Sequence, residues 1–525
     1  MKRRDFLQYA TSSFFLPLIL DGYGAKAETS ADSPFMKALL ELAEINDKIL
    51  VVIQLNGGND GLNMVLPLDQ YSTYTASNFR ANIAIPESKV LKLNGLPQTG
   101  LHPSMTGLQS LFNEGKLSII HSAGYPNPNF SHFRASDIWY TAVDADKLST
   151  TGWLGRYLQQ SYEGFPQGYP NSKILDPLAI QISSISSTTF NTTGASGALA
   201  IQNPETFAKI VGDKPTVELG ELPPTPAGKY TAFIRQQQTS SVAYASQLKT
   251  AADKGKNLVA YPSGNPLLDQ LKIVARLIAG GLQTKIYYVT LGGFDTHAQQ
   301  VDTTDKTKGA HANLLKNLSD GIKIFMDDLK ANGKADKVAG MTFSEFGRRA
   351  ISNGSMGTDH GWASPLFVFG NGVKTQVIGK NPDLKDLDGN NIKIQNDFRQ
   401  VYATVLSDWL GASDATVKSV LFDKSFANLA VFRETITATE PVPAGLVNLY
   451  PNPTRSEVVL ESDFVMLGRD NLTIVDANGR TFPLQTTYLS NTKILIQLPN
   501  FPTGKYFIRL ENDKHVVTKP LMLYR

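Results

Sequence analysis

The chain has 525 residues, of which 42% are hydrophobic and 18% are charged, so the sequence predicts a globular protein with a large core. Its 50 basic and 47 acidic residues leave a formal net charge of +3 and form no block of one sign, which argues against nucleic acid or a charged membrane surface as a partner. The absence of cysteine excludes disulfides, thiolate metal sites and cysteine nucleophiles.

The first 27 residues have the features of an export signal. Residues 3–7 (RRDFL) contain an arginine pair followed by x-Phe-Leu, which is the twin-arginine pattern. A modestly apolar run, Phe14–Leu20, and an A-x-A site at residues 25–27 follow, which predicts cleavage before Glu28. We therefore predict a twin-arginine signal peptide over residues 1–27; a short membrane anchor is the alternative. The apolar run is too short to span a bilayer, and no other segment reaches transmembrane length.

Residues 28–433 are predicted to form one large α/β domain. Its apolar runs are typical of strands buried on both faces: Ile49–Leu55, Leu117–His121, Ile286–Leu291, Val338–Phe343 and Pro365–Gly370. Amphipathic helices are predicted between them, most clearly over Gly309–Ala331, with a short one over residues 34–44. This alternation predicts a mostly parallel sheet with helices on both faces. Residues 160–265 are rich in Ser, Thr, Pro, Gly and Gln and are predicted to form an insertion or cap.

Acidic and histidine side chains follow the ends of these predicted strands or precede the last one. They are Asp60, Asp295 with His297, Glu345, and Asp359 with His360. Ligands of open α/β sheets bind at the carboxyl ends of the strands, and carboxylates and imidazoles are ligands of divalent metals. The sequence therefore predicts a shared metal or anion site at this edge. Each residue alone is as well explained by a helix N-cap or a structural hydrogen bond.

A further candidate segment is residues 129–134 (NFSHFR). Ser131 precedes a predicted helix over residues 133–142, which suits an N-cap and also places it where backbone N–H groups bind phosphate or sulfate. Neither Ser131 nor Ser344 lies in a G-x-S-x-G elbow, so a serine-hydrolase triad is not predicted. No phosphate-binding P-loop and no convincing dinucleotide fingerprint appear, so no nucleotide cofactor is expected.

The C-terminal 80 residues or so are predicted to form a separate small domain. A Thr/Pro/Glu-rich linker over residues 434–445 precedes short alternating strands over residues 446–525, which predicts an all-β sandwich. The motifs YPNP at 450–453, D-x-x-G-R at 476–480 and G-x-Y-x-x-R-L at 504–510 resemble the type A C-terminal sorting domain of the type IX secretion system of Bacteroidetes. The resemblance implies a final location at the cell surface or outside, with the twin-arginine and type IX machineries as partners. An ordinary β-sandwich adhesion module is the alternative.

Four motifs of the large domain resemble the exported family called domain of unknown function 1501. They are LNGGNDG at 55–61, GFDTH at 293–297, FSEFGR at 343–348 and GTDHG at 357–361, and the resemblance covers residues 45–415. That family is distantly similar to the alkaline phosphatase and sulfatase superfamily, which implies an alkaline phosphatase-like fold and one or two divalent ions: zinc, calcium or magnesium.

By position, the resemblance implies the following roles: Asp60 as a metal ligand, Ser131 as the nucleophile, Asp295 and His297 as an Asp/His ligand pair, Glu345 as the start of a second pair, and His360 as the last ligand. Two features depart from the superfamily pattern. One residue separates Asp295 from His297 where three are usual, and Phe346 stands where a histidine is expected. Asp359 is the candidate that would rebuild the missing position.

The leading hypothesis is an exported, metal-dependent hydrolase of phosphate or sulfate esters. In it Ser131 attacks the anion centre, Arg348 or Arg134 clamps substrate oxygens, and His132 or His360 transfers a proton to the leaving group. The second hypothesis is a non-catalytic surface or assembly protein on a degenerate hydrolase fold. A carbohydrate-active enzyme with a carboxylate pair ranks last, because nothing in the sequence identifies its two acids.

Overall fold

The computed structural model describes residues 18–20, 23–25, 47–193, 195–211, 223, 225–433, 447–462, 471–476, 481–482, 484–498, 501–511 and 516–524. The described residues up to 433 form one unit, and those from 447 onwards form a second. The twin-arginine pattern at residues 3–7, the predicted helix at 34–44 and the predicted linker at 434–445 lie outside the described residues, so these features stay predictions.

The larger unit contains strands β1 to β18. They are β1 (Leu18–Leu20), β2 (Tyr23–Ala25), β3 (Ile49–Asn56), β4 (Val65–Pro67), β5 (Leu91–Leu93), β6 (Leu96–Leu101), β7 (Leu117–Gly124), β8 (Ala179–Ile182), β9 (Asn191–Thr192), β10 (Ala195–Ser196), β11 (Leu199–Ile201), β12 (Ile286–Gly292), β13 (Val338–Phe343), β14 (Gly347–Arg348), β15 (His360–Gly361), β16 (Ser364–Gly370), β17 (Gln376–Ile378) and β18 (Asn396–Asp397).

The α-helices of the same unit are α1 to α11. They are α1 (Gly61–Met64), α2 (Tyr71–Tyr74), α3 (Thr106–Asn113), α4 (His132–Thr141), α5 (Trp153–Ser161), α6 (Pro204–Val211), α7 (Pro226–Lys254), α8 (Pro266–Ala279), α9 (Ala310–Ala331), α10 (Phe398–Thr404) and α11 (Asp414–Val420). Among the described residues, no helix combines the length and the apolar composition that crossing a bilayer requires.

A nine-stranded sheet forms the centre of this unit. Its order is β11-β8-β12-β3-β13-β16-β7-β17, and β18 also pairs with β7. All neighbouring pairs are parallel except those that β16 makes with β13 and β7. The predicted fold class, a mostly parallel sheet, is confirmed.

Two hydrophobic cores cover the two faces of the sheet, and strand β3 contributes alternate side chains to each of them. Val51 and Ile53 pack into one core, which includes apolar residues of α3, α8 and α9. Leu50 and Val52 pack into the other core, which includes residues of α4, α5 and α10. Successive side chains of a strand point to opposite faces, so a continuous apolar run is needed when helices cover both. The prediction of helices on both faces is also confirmed.

The reversed direction of β16 decides which loops meet. Strands β3, β12, β13 and β7 all end at the same edge of the sheet, because they run in one direction. Strand β16 begins at that edge, where Ser364 pairs with Ala123 near the end of β7. Residues just before β16 therefore reach the same place as residues just after the other four strands.

The region 160–265 is continuous with the sheet at one edge. It contributes β8 and β11, which extend the parallel sheet beyond β12, together with the short β9–β10 pair. It also contributes α6 and the 29-residue helix α7. Its predicted role as a cap over a site stays a prediction.

The second unit is all-β. Its strands are β19 (Val447–Tyr450), β20 (Glu457–Ser462), β21 (Asn471–Asp476), β22 (Thr481–Phe482), β23 (Gln485–Ser490), β24 (Lys493–Gln497), β25 (Gly504–Glu511) and β26 (Val516–Leu523). They form two antiparallel sheets, β19-β20-β24-β23 and β22-β21-β25-β26. Val458, Ile474, Ile496 and Ile508 of the two sheets share one hydrophobic core, which confirms the predicted small all-β sandwich.

Candidate metal centre

Three segments at the carboxyl edge of the large sheet bring together three histidines and an aspartate. Asp295 and His297 follow β12, His132 opens α4 after β7, and His360 lies in β15 just before β16. We call His132, His297, His360 and Asp295 the histidine cluster. Its side chains are between 20% and 48% exposed, so the cluster opens to solvent.

The Nε2 atoms of the three histidines face the Asp295 carboxylate. Asp295 Oδ1 lies 3.2 Å from His297 Nε2 and 3.3 Å from His360 Nε2, and Oδ2 lies 3.5 Å from His132 Nε2. The Nε2 atoms of His297 and His360 are 2.9 Å apart. One ligand atom from each of His132, Asp295 and His360 lies within 4.8 Å of the other two.

The Nδ1 atom of each ring has an acceptor behind it. His132 Nδ1 lies 2.8 Å from Glu345 Oε1, and His360 Nδ1 lies 2.8 Å from the carbonyl oxygen of Phe130. His297 Nδ1 lies 3.4 Å from Asp359 Oδ1. A carbonyl oxygen or carboxylate can only accept, so a neutral ring that donates from Nδ1 to such an acceptor has its Nε2 available to a metal. Such outer hydrogen bonds orient the histidine ligands of metal sites.

These distances fit a metal ion. Ligand atoms about 2.1 Å from a tetrahedral zinc lie about 3.4 Å from one another, and the contacts around Asp295 scatter about that value. A divalent cation at this point would be attracted by the Asp295 carboxylate and would find imidazole nitrogens within reach. Imidazole nitrogen with one carboxylate favours zinc or a similar transition metal over calcium or magnesium, which prefer oxygen ligands.

Glu345 is a buried partner of the cluster and does not face the Nε2 atoms. Besides His132 Nδ1, its Oε1 accepts a hydrogen bond from the backbone N–H of Gly57 at 2.8 Å. Its Oε2 lies 3.3 Å from the Ser344 hydroxyl. The carboxylate is thus fixed from two loops and in turn fixes the His132 ring.

Arg348 is a buried brace between the loops. Its guanidinium donates to the carbonyl oxygens of Gly57, Gly58 and Thr358, and its Nη2 lies 2.5 Å from Asp295 Oδ1. This geometry differs from the sequence expectation that Arg348 clamps a substrate, because the side chain is enclosed and its donors are directed at protein acceptors. Arg348 positions Asp295.

The pKa shifts in the cluster keep its ligands in the right protonation state. Burial raises the pKa of Asp295, but the hydrogen bond and the charge of Arg348 outweigh this and hold the pKa below its ordinary value. The hydrogen bond from Asn353 is the main cause that lowers the pKa of Asp359. Burial lowers the pKa of His360. Ionised carboxylates and a neutral imidazole are the forms that bind metal.

Two glycines explain why the loop after β3 passes so close to the cluster. Gly57 has φ +125°, and a Cβ built on it would lie 2.4 Å from the Asp295 backbone nitrogen. Gly58 has φ +77°, and its Cβ would lie 2.2 Å from the ring of Phe346. That ring lies against both His132 and His360, with centroid distances of 4.9 and 4.4 Å. Larger residues at 57 and 58 would displace the cluster.

Asp60 lies in a separate, buried cluster. Its Oδ2 accepts hydrogen bonds from Arg80 Nη1 at 2.8 Å and from Gln300 Nε2 at 2.6 Å. Nearby, His311 Nε2 lies 3.0 Å from Asn59 Oδ1. We call Asn59, Asp60, Arg80, Gln300 and His311 the ion-pair cluster; all five are buried. Burial raises the pKa of Asp60, but the charge and hydrogen bond of Arg80 outweigh it and lower the pKa below its ordinary value.

Asp60 therefore differs from its sequence-based role as a metal ligand beside Asp295. No ion pair joins Asp60 to the histidine cluster among the residues that the structure describes. The pairing of Arg80 with Asp60 could not be predicted from the sequence, since Arg80 lies 20 residues after Asp60, in no recognisable motif and outside any regular element.

The two serines differ in exposure. Ser131 is exposed at the N-cap of α4, and its side chain makes no capping hydrogen bond. Ser344 is buried and donates to the Leu55 carbonyl oxygen at 2.7 Å. Of the two, Ser131 is the accessible hydroxyl, one residue from the histidine cluster.

Two segments of the chain match known protein families. Residues 232–410 match the family described as "Protein of unknown function (DUF1501)", and residues 448–523 match the "Secretion system C-terminal sorting domain". Both resemblances noted from the sequence motifs are confirmed. The sorting domain indicates export to the cell surface or the outside. A search of curated proteins returns no match.

Solved structures similar to this chain include a protein of the alkaline phosphatase superfamily from Vibrio parahaemolyticus, with 12% identity over 85% of this chain and 81% of that chain and a TM-score of 0.33. A sulfatase from Pseudoalteromonas sp. has 13% identity over 90% and 85%, with a TM-score of 0.31. The lipoteichoic acid synthase LtaP from Listeria monocytogenes has 10% identity over 83% and 87%, with a TM-score of 0.30. At such identities, the activity of this chain has to be inferred from its own residues.

Proposed function

We propose that this exported protein is a metal-dependent hydrolase of phosphate or sulfate esters and that the histidine cluster holds the metal. The observation that carries the proposal is the convergence of three imidazole Nε2 atoms on one carboxylate, each ring fixed by an acceptor at Nδ1. Zinc suits this donor set best.

The start of α4 supports an anionic substrate. The first backbone N–H groups of a helix have no helical partner, and the helix dipole favours negative charge there, so phosphate and sulfate bind at such positions. His132 is the first residue of α4 and a member of the histidine cluster. An anion at this helix terminus would therefore lie beside the ligands, in a solvent-exposed position.

Ser131 is the proposed nucleophile. Its oxygen would attack the phosphorus or sulfur of the ester, the bond to the ester oxygen would break, and the alcohol would leave with a proton from solvent. Water would then release the bound phosphate or sulfate and restore the hydroxyl. A bound divalent ion would supply Lewis acidity to this site.

The other residues of the site act by positioning. Arg348 and the outer acceptors at Glu345, Phe130 and Asp359 hold the ligand side chains in place. Because Nε2 of His132 and of His360 face the shared centre, we assign both rings to metal binding. The sequence had suggested proton transfer for His132, and metal binding or, if uncoordinated, proton transfer for His360.

A non-catalytic surface protein is the second candidate. One observation favours it: Asp60, a ligand by resemblance, is engaged by Arg80, so part of the superfamily's donor set is missing from the centre. Such a protein would bind metal through the histidine cluster and hydrolyse nothing.

A hydrolysis assay on the full-length protein separates the two candidates. Zinc-loaded and chelator-treated protein would be tested on p-nitrophenyl phosphate, bis(p-nitrophenyl) phosphate and p-nitrophenyl sulfate. We expect at least one ester to be cleaved, with kcat/KM reduced at least about 100-fold by chelation, by Asp295→Asn and by Ser131→Ala. The exposed Ser72→Ala is the matched control and should leave kcat/KM unchanged.

Two results would contradict the proposal. Stoichiometric zinc without any hydrolysis of the three esters would favour the binding protein. Hydrolysis that survives both chelation and Asp295→Asn would exclude the histidine cluster as its origin.

A further inference from the structure

The carboxylates at the sheet edge are not equivalent, and their partners limit how many ions the site can hold. We infer that the centre takes a single divalent ion and that the Arg80 guanidinium neutralises Asp60 in place of a second one. This inference rests on the proposed function, because it assumes that the histidine cluster binds metal.

Only one of the four carboxylates faces the imidazole Nε2 atoms. Asp295 contacts all three. Glu345 and Asp359 instead accept from the Nδ1 side of His132 and His297, and each has a second donor, the backbone N–H of Gly57 for Glu345 and the Asn353 amide for Asp359. Both carboxylates thus orient ligands.

The fourth carboxylate, Asp60, already has a cation. Arg80 Nη1 lies 2.8 Å from Asp60 Oδ2, and both side chains are at most 1% exposed. A guanidinium keeps its charge at any physiological pH, so this pair is permanently formed. A dication bound to the same carboxylate would lie next to the guanidinium in a buried environment, where like charges repel strongly.

Arg80 is held so that it cannot move aside. Its Nε and Nη2 donate to the carbonyl oxygens of Ala350 and Arg349, and Nη1 also donates to Asn63 Oδ1 at 3.0 Å. Displacing the guanidinium would leave these acceptors without their donors, which is unfavourable for enclosed polar groups. The side chain therefore acts as a fixed internal cation.

Among the residues that the structure describes, no second set of ligands surrounds Asp60. Its Oδ1 is buried without a hydrogen-bond partner, which leaves one oxygen for an ion. The neighbouring His311 directs its Nε2 at the Asn59 amide oxygen. Within the described part of the chain, the one group of three potential ligand residues is His132, Asp295 and His360. A single oxygen is too few ligands for a stable divalent site, which needs at least three from the protein.

Metal stoichiometry tests the inference directly. The full-length protein would be stripped with a chelator, titrated with zinc by isothermal calorimetry and, after desalting, analysed for zinc per chain. We expect one zinc per chain, and the same value with manganese or magnesium present in excess. Two ions per chain would overturn the inference and leave the proposed function standing, whereas no bound ion would overturn both.

Variants locate the ion independently of activity. Asp60→Asn is expected to bind one zinc with a Kd within about threefold of the wild type, whereas Asp295→Asn should weaken binding at least about 100-fold. Asp386→Asn, at an exposed carboxylate, is the matched control. If Asp60→Asn misfolds, the charge-balanced pair Asp60→Asn with Arg80→Gln replaces it. Loss of one of two ions in either variant would show that Asp60 is a ligand.

Discussion

The histidine cluster and the ion-pair cluster lie at the same edge of the sheet and use the same residue types, yet they have opposite electrostatics. In the ion-pair cluster Asp60 meets a guanidinium and an amide, and everything is buried. In the histidine cluster three Nε2 atoms converge on Asp295, and the side chains are partly exposed. One cluster is neutralised from within the chain, whereas under the proposed function the other takes a cation from outside.

The difference teaches that residue type and strand-end position do not by themselves make a ligand. Whether such a carboxylate can bind a metal depends on which cation lies within its reach in the folded protein. A buried carboxylate has to be paired, because an isolated one costs far more than a protein can offset. Arg80 provides the partner for Asp60, whereas Arg348 binds one side of Asp295 and leaves the other side to the histidines.

Breaking the pair in the ion-pair cluster should have the largest effect on stability. Arg80→Met leaves Asp60 buried without its cation, and we expect a loss of about 3–5 kcal/mol in the free energy of unfolding. Urea denaturation followed by tryptophan fluorescence measures this. Arg276→Met, which breaks a partly exposed pair with Glu205, is the control and should cost less than about 1 kcal/mol. Equal losses in the two variants would mean that the Asp60 pair is no more important than a surface pair.

Asp295→Asn should affect zinc binding much more than stability, the reverse of Arg80→Met. The amide keeps the shape of the side chain but loses the negative charge, so zinc affinity should fall at least about 100-fold, and the rise in melting temperature on adding zinc should disappear. In metal-free protein we expect a smaller loss of stability than for Arg80→Met, because Asp295 is half-exposed and the amide oxygen can still accept from the buried Arg348. Zinc binding that is unaffected would place the metal elsewhere.

Glu345→Gln tests the outer hydrogen bonds. Replacing the carboxylate removes the acceptor charge behind His132 Nδ1, and we expect zinc affinity to fall about 10- to 100-fold with the stoichiometry unchanged. Calorimetry of this variant beside the exposed Glu163→Gln gives the comparison. An affinity equal to the control would show that His132 needs no orientation or is not a ligand.

Acid should weaken the ion-pair cluster through His311. Burial lowers the pKa of His311 to about 4 from an unfolded value of 6.5, so the unfolded chain binds a proton that the folded chain excludes. Stability is therefore retained above pH 6.5 and lost as the pH falls from 6.5 towards 4. Between pH 7 and pH 5 we expect a loss on the order of 2 kcal/mol from this residue.

The control for this pH effect is His311→Gln, which keeps a nitrogen that can contact Asn59 and removes the titration. Unfolding of chelator-treated protein at pH 7, 6 and 5 should show a shallower pH dependence in the variant. Identical slopes in variant and wild type would assign the acid sensitivity to other groups. Asp60 would not be among them, because its pKa lies below the ordinary value of 3.8 and its contribution to stability is lost only at pH values below that.

The sequence predicted the fold well because it contains local signals. The apolar runs at Ile49–Leu55 and Val338–Phe343 became β3 and β13 almost to the residue, and Gly309–Ala331 became α9. Such strands are buried on both faces, and such a helix is buried along one stripe, so the spacing of their apolar residues identifies them from the local sequence alone. The reversed direction of β16 left no signal, because strand direction depends on connections and not on composition.

The candidate site was less predictable than the fold. Asp295, His297 and His360 were expected together and lie together, since each is adjacent to a strand end at one edge. Glu345, Asp359 and Arg348, expected to contact metal or substrate, instead contact side chains of the histidine cluster, and we propose that they position them. Those roles depend on which side of an imidazole ring a carboxylate approaches, and on whether an arginine is enclosed, and neither is visible in residue spacing.

By itself the sequence determined a cysteine-free α/β domain, a small β-sandwich with sorting motifs, and a set of acids and histidines at strand ends. Only the tertiary structure decided how these acids are used. Arg80, 20 residues after Asp60 in the sequence, forms an ion pair with it in the folded chain. Strand β16 is antiparallel to its neighbours, and this direction places His360 beside Asp295. The physical reason is that charge pairing in a folded chain depends on distances of a few ångströms between residues far apart in sequence, which no local pattern encodes.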